Sequence, residues 1–236
     1  MSSVSQTPSA PGAATMARLI LLGALGSVVA LVAHIAVLPS RPAAGAAQPL
    51  LMQFAGHHNV LLTSAWLDGL GSALLILTAV AIAHLAGAGS TLPGRIVQVT
   101  GTVVIALSLV SDTLLIATAQ AGALGDGATV RTAYSLLSAG DYVYPVANTF
   151  WLSALGLVVL RTSILPRAFG YLALALGAAE LVIGLAKLYS DTVHNVINYG
   201  FMAILAWVLA ASITLAIRPI ASRSPSPERE PAVTAI

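Results

Sequence analysis

Three acidic side chains lie inside long apolar segments of this 236-residue chain. Asp68, Asp112 and Glu180 are each flanked by mostly apolar residues, whereas the other five acids stand near predicted helix ends, in loops or in the tail. An ionisable group within a membrane segment is costly and by default indicates a functional site. These acids are therefore our first candidates for chemistry, as proton carriers, as partners of a cation or as catalytic acids.

Each acid belongs to a polar stripe with helical spacing. Steps of three, four or seven residues place such groups on one face of a helix. The stripes are His57, Ser64, Asp68 and Ser72; then Gln98, Ser108 and Asp112; and then Gly177, Glu180, Gly184 and Lys187. Because a stripe that faced lipid would leave its acid unpaired, we expect all three faces to point into a helical bundle.

Other polar residues collect towards the outer side of the predicted membrane region. At 1.5 Å per residue, each of the three acids lies roughly 12–14 Å below that side. The polar residues between the acids and the outer surface are His34, His57, His58, Asp141, Asn148, His194 and Asn198. This asymmetry predicts an outward-facing polar pocket, with Asp68, Asp112 and Glu180 at its base, for a small or lipid-like ligand or for protons.

The residues that could bind a metal or a cofactor do not have the sequence spacing that such sites require. His57 and His58 are adjacent, so on a helix they point about 100° apart, unlike the i, i+4 pairs that bind one ion. The chain has no cysteine, which excludes thiolate metal sites, disulfides and cysteine nucleophiles. A net charge of +2 does not suggest nucleic-acid binding. We therefore expect no metal, no cofactor and no nucleic-acid partner.

Composition places these residues in a membrane protein. Hydrophobic residues make up 58% of the chain and charged residues 8%, with a mean hydropathy of +0.92. A soluble domain carries about 25% charged residues, so lipid must be the main solvent and the main partner here. The chain length suits one compact domain.

Six apolar runs are long enough to act as membrane helices. We place them at about 17–39, 59–87, 94–120, 143–160, 167–188 and 196–217, against the roughly 20 residues that a helical span requires. The runs do not alternate apolar with polar residues, which excludes barrel strands. The first run exceeds a signal-peptide core of about 7–15 residues, so we expect a retained span. The sequence thus predicts an all-α, polytopic bundle at 17–218, with disordered tails at 1–16 and 219–236.

The basic residues predict the orientation. With the N-terminus inside, seven basic residues are cytoplasmic, namely Arg18, Arg95, Arg161, Arg167, Arg218, Arg223 and Arg229. Three lie outside, namely Arg41, Arg131 and Lys187. Since basic residues concentrate on the cytoplasmic side of membrane proteins, both termini are expected inside the cell. The predicted outer loops, 40–58 and 121–142, are the long ones.

One segment carries a resemblance. Residues 157–184 read LVVLRTSILPRAFGYLALALGAAELVIG, in which Arg161 ends one predicted span and Leu165-Pro166-Arg167 opens the next. Together with the chain length, the six spans and the short basic inner loops, this segment resembles a large bacterial family of six-span membrane proteins catalogued as a domain of unknown function. The resemblance implies a bacterial inner-membrane location and no particular activity. Helix packing is enough to explain Gly170 and Gly177 in the segment.

Three interpretations of the acids remain open from sequence. They form a ligand or proton site, they belong to a membrane-embedded enzyme that uses acid catalysis on a lipid or isoprenoid-like substrate, or they hold together a structural or partner-binding subunit. The three interpretations differ in the geometry that they require of the acids. A shared site requires that Asp68, Asp112 and Glu180 converge.

Overall fold

The computed structural model describes residues 11–37, 47–189 and 194–217. Its helices are α1 (Pro11–Val37), α2 (Ala47–Gly56), α3 (His58–Leu85), α4 (Leu92–Ala123), α5 (Gly127–Thr162), α6 (Arg167–Lys187) and α7 (His194–Ile217). Within the described ranges, six of these helices are long and apolar enough to cross a membrane, and α2 has only 10 residues. The prediction of an all-α, multi-pass membrane protein is therefore confirmed.

The predicted boundaries agree with the structure except at two helices. Helix α1 begins at Pro11, inside the segment predicted as a tail. Helix α5 begins at Gly127 rather than near residue 143, so the predicted outer loop at 121–142 is wrong. Asp126 caps the new start, and Val130 and Leu137 are buried on the face that follows. Predicted tail residues 1–10 and 219–236 lie outside the described ranges.

The membrane helices pack in a closed ring. In the described residues each helix contacts its neighbours in the order α1, α3, α4, α5, α6 and α7, and α7 returns to α1. Close contacts show that neighbours are antiparallel: Gly71 of α3 meets Leu31 near the end of α1, and Gly23 near its start meets Thr78. The start of α1 and the end of α7 therefore lie at the same end of the bundle.

Glycines let α5 and α6 approach closely. Gly170, Gly177 and Gly184 recur every seven residues of α6 and all face α5. A Cβ atom at Gly170 would lie 2.5 Å from Leu160 Cγ, and one at Gly184 would lie 2.7 Å from Pro145 Cβ. No real Cβ makes such contacts, so only glycine permits this helix separation. The predicted packing role of these residues is confirmed.

A second apolar cluster forms at the other end of the ring from the start of α1. There α2 packs on the end of α4 and the beginning of α5, with Phe54, Leu115, Val130 and Leu137 buried together. The Phe54 and Tyr134 rings meet edge to face at 5.7 Å between centroids. This cluster explains why the first turns of α5 are helical although they were predicted as a loop.

Candidate functional site

Helices α3 and α4 bring two of the three membrane acids together. The Asp112 carboxyl on α4 lies beside the Asp68 carboxyl on α3, close enough for the two groups to interact. The Ser108 hydroxyl, one turn from Asp112, donates to Asp68 Oδ2 at 3.2 Å. Asp112 is only 7% exposed and Asp68 is half-buried. The antiparallel pairing of α3 with α4 thus creates a carboxyl pair inside the bundle.

The carboxyl pair has an unusual balance of donors and acceptors. Asp112 Oδ2 is buried and receives no N–H or O–H from the described residues. It lies against the backbone of Gly69, where a Cβ atom would come within 2.9 Å of it. An ionised carboxylate has no donor, and two ionised carboxylates side by side repel each other, so a proton or a cation between them is favoured. The two acids therefore act as one unit.

His34 extends the polar contacts from this pair towards the end of α1. Its Nδ1 lies 2.9 Å from the Ser64 hydroxyl and 2.9 Å from the Ser64 carbonyl oxygen. Ser64 is fully buried and stands one turn before Asp68 on the same face of α3. His34 is half-buried near the end of α1, so His34, Ser64, Asp68 and Asp112 form a polar series that leads inward from one end of the bundle.

Glu180 lies apart from the pair. In the described residues its helix, α6, contacts α5 and α7 but neither α3 nor α4. Glu180 is 4% exposed, Asn148 Nδ2 donates to its Oε2 at 3.5 Å, and a Cβ atom at Gly200 would lie 2.9 Å from its Oε1. Similar depth in the membrane does not bring residues together when their helices are separated in the ring. The structure thus joins Asp68 with Asp112 and places Glu180 between α5, α6 and α7.

Two predicted rim histidines lie at the start of α3. The His57 Nδ1 is 2.9 Å from the Gln53 carbonyl oxygen at the end of α2, and His57 is exposed. The His58 Nδ1 is 3.2 Å from the Asn59 Oδ1. Both rings are therefore engaged locally, where α2 turns into α3. Neither has a contact with the carboxyl pair among the hydrogen bonds of the described residues.

The other predicted rim residues are on α5 and α7. Asp141 lies within α5 and not at its start, while His194 and Asn198 belong to the first turns of α7. The side chains of Asp141, His194 and Asn198 are outside the described part. Among the residues that are described, no three histidine, cysteine, aspartate or glutamate side chains are grouped as metal ligands.

Lys187 is the residue whose environment differs most from expectation. Its place at the end of α6 predicts a side chain that extends to the membrane surface. Instead it is 8% exposed, and its Nζ lies 4.8 Å from the centroid of the Tyr142 ring on α5. The cation–π contact is one of the interactions of the buried ammonium group. The sequence alone could not have paired these residues, because residue 142 was predicted to lie in a loop.

The open groove in the described residues is on a different surface. It has a volume of about 300 Å³ and is lined by Leu114, Ala128, Thr129, Thr132, Ala133 and Leu136. These residues belong to the last third of α4 and the first turns of α5, and none of the three acids is among them. The groove is therefore separate from the carboxyl pair.

Comparison of the chain with protein-family models, with curated proteins and with solved structures found no match. The basis for a functional interpretation is therefore the geometry of the bundle. Within it, the buried Asp112 lies beside Asp68, and Ser64, one turn before Asp68, contacts His34.

Proposed function

We propose that this chain is a multi-pass protein of a bacterial plasma membrane that takes up and releases a proton at Asp68 and Asp112. The observation that carries the proposal is the proximity of the two carboxyl groups inside an apolar bundle, where the buried Asp112 Oδ2 receives no hydrogen bond from the described residues. Two carboxyls in contact titrate as a pair, in two steps that belong to both groups. Acidic residues of this kind within membrane helices form proton relays in pumps and transporters.

The neighbouring side chains supply a path for the proton. A serine hydroxyl such as that of Ser64 both donates and accepts, and a neutral imidazole such as that of His34 has one nitrogen that donates and one that accepts. With Ser64 at 2.9 Å from His34 and one turn from Asp68, the path enters where α1 ends and α3 begins. We infer that this end of the bundle faces outwards, so that protons reach the pair from outside the cell.

The orientation and the location are supported by sequence features. In the described residues, Arg18, Arg95, Arg161 and Arg167 lie at the end of the bundle opposite to His34. The positive-inside rule then puts this arginine-bearing end, and both termini, in the cytoplasm. The resemblance of residues 157–184 to a bacterial six-span family supports the bacterial membrane, and membership in that family is part of the proposal.

Of two alternative functions, the burial of Asp112 disfavours one and a contact of Glu180 favours the other. A membrane-embedded enzyme would use one carboxyl to protonate a lipid or isoprenoid-like substrate and the other to stabilise the resulting cation. That chemistry needs substrate access to Asp112, which is 7% exposed. A structural or partner-binding subunit is favoured by Glu180, since its contact with Asn148 joins α6 to α5 without a free acceptor at Oε2. Polar contacts of this kind contribute about 0.6 kcal/mol each.

Infrared spectroscopy of the reconstituted protein tests the proton site. Protonated carboxyl groups give a carbonyl band that carboxylates lack, so difference spectra between acidic and alkaline buffer report proton uptake. We expect the buried-carboxyl band to lose most of its pH-dependent amplitude in Asp68→Asn and in Asp112→Asn, because each variant removes one member of the pair.

Glu180→Gln is the comparison variant, because it removes a buried carboxyl of the same membrane domain that does not touch the pair. Glu180→Gln should remove only the part of the infrared carboxyl band that Glu180 contributes. Circular dichroism and gel filtration establish that each variant is folded. If the band is the same in wild type, Asp68→Asn and Asp112→Asn, the proposal of a proton site at the pair is wrong.

A further inference from the structure

We propose that the Asp68–Asp112 pair also binds a small monovalent cation, of which sodium fits best, in exchange for its proton. The inference rests on the proposed proton site and extends it to a second ligand. It starts from an oxygen atom, Asp112 Oδ2, which is buried and receives no hydrogen bond from the described residues. A buried acceptor of this kind is expected to have a partner, either a hydrogen-bond donor or an ion.

The chemistry of the neighbouring atoms restricts what can satisfy Asp112 Oδ2. Its polar neighbour across the α3–α4 interface is the carboxyl of Asp68, which is also an acceptor unless protonated. A proton or a cation is attracted to a position between two carboxyl groups. Ser108 adds a hydroxyl oxygen at 3.2 Å from Asp68 Oδ2. The pair therefore offers the hard oxygen ligands that alkali and alkaline-earth cations prefer.

Charge favours a monovalent cation. When one carboxyl loses its proton and a sodium ion takes its place, the proton goes to water and the total charge of the site is unchanged. This matters because an uncompensated charge in a low-dielectric interior is costly. A divalent ion in place of one proton would raise the charge of the site by one.

The number of ligands also disfavours divalent ions. Two carboxyl groups and one hydroxyl supply at most five side-chain oxygens, whereas Ca²⁺ takes about 6–8 oxygen ligands. Mg²⁺ keeps several waters of its own, and the 7% exposure of Asp112 leaves little access for them. Gly69 lets Asp112 Oδ2 lie against the helix backbone, so the oxygen is held in place by packing on α3.

Two measurements on the purified protein in detergent test the exchange. Sodium chloride is added to weakly buffered protein with a pH indicator, and binding of radioactive sodium is measured in parallel. We expect about one proton released per sodium bound, as charge conservation at the pair requires. Asp112→Asn should abolish both signals, and choline chloride should release no protons.

Ser108→Ala keeps both acids and removes one neutral ligand, so it tests the site even if an aspartate variant does not fold. We expect its sodium affinity to fall roughly tenfold, in the range seen when groups that support a metal site are lost. The matched control is Ser212→Ala, because the Ser212 hydroxyl is equally buried but donates only within its own helix, to Val208. Sodium affinity in this control should equal that of the wild type.

The outcomes separate the two proposals. If sodium neither binds nor releases protons while Asp112→Asn still removes the infrared carboxyl band, cation binding is wrong and the proton site stands. Sodium binding that persists in both aspartate variants places the cation elsewhere and overturns the inference. Tighter binding of Ca²⁺ or Mg²⁺ than of sodium overturns the monovalent assignment. If the infrared band is also unaltered, both proposals fail.

Discussion

At the scale of single residues, the three membrane acids differ in what their partners can donate. Glu180 receives an N–H from Asn148, so its carboxyl has a neutral amide as partner. Asp112 faces Asp68, which can donate only when it carries a proton. The same residue class at a similar depth therefore serves two purposes. The proposed proton exchange belongs to the pair, whereas Glu180 joins α6 to α5.

Asp126 is an acid outside the membrane segments, and its titration can be predicted. It caps α5, with Oδ1 accepting from the Ala128 and Thr129 N–H groups, both at 3.1 Å, and Oδ2 accepting from the Thr129 hydroxyl at 2.6 Å. The bond from the Thr129 hydroxyl, followed by that from its N–H, lowers the pKa of Asp126 below the ordinary value. A lowered pKa in the folded state means that ionised Asp126 favours folding.

The stabilisation by Asp126 is complete above the unfolded aspartate pKa of about 3.9 and is lost as the pH falls through the lower folded value. We therefore expect Asp126→Asn to lower the melting temperature at neutral pH and to lower it less in strongly acidic buffer. Thermal unfolding in detergent at both pH values measures this. Thr129→Val removes the hydroxyl donor, so it should move the acid-induced loss of stability to higher pH. A melting shift that is independent of pH would contradict the assignment.

At the scale of elements, the α5–α6 hairpin shows how small residues set helix separation. The contact is made by glycines on both helices, since Gly156 of α5 faces Gly170 of α6. A Cβ atom at Gly156 would lie 2.8 Å from the Gly170 carbonyl oxygen. Backbone atoms cannot rotate away as a side chain can. Close approach of this kind stabilises the contact between membrane helices, because lipid removes the hydrophobic driving force for their association.

Gly156→Ala should therefore destabilise the bundle. Alanine favours a helix over glycine by about 1 kcal/mol, but inserting a methyl group into a close-packed contact costs about 1–3 kcal/mol. We expect a net loss in a reversible unfolding titration in mixed micelles. The matched control is Gly12→Ala, because a Cβ atom there would meet nothing within 4 Å. If both variants are equally stable, the α5–α6 contact is looser than described.

At the scale of the whole molecule, hydropathy and helix rise predicted which segments span the membrane and how deep each acid lies. They could not predict which acids meet, because that depends on the order of helices in the ring, and apolar faces in lipid carry little information about order. The early start of α5 was missed because residues 127–142 mix polar and apolar residues. The signal that could have found it is Asp126, a good N-cap residue directly before that segment.

The absence of cysteine allows a direct test of the orientation of the ring. Ser90 in the link between α3 and α4 and Leu124 in the link between α4 and α5 are both exposed, at opposite ends of α4. We expect a membrane-impermeant maleimide to label Leu124→Cys on intact bacteria and Ser90→Cys only after lysis. The cysteine-free wild type is the control, since it has no thiol to react.

If both variants are labelled on intact cells, the prediction that α4 crosses the membrane is wrong. Labelling of Ser90→Cys on intact bacteria and of Leu124→Cys only after lysis would be consistent with six spans. It would place the arginine-bearing end outside, against the positive-inside rule. The result also decides the direction of the proton path, because His34 lies at the same end of the bundle as Leu124. Labelling of Leu124→Cys from outside would mean that the proposed path to the Asp68–Asp112 pair opens to the external solution, so on this proposal acidification outside the cell should protonate the pair.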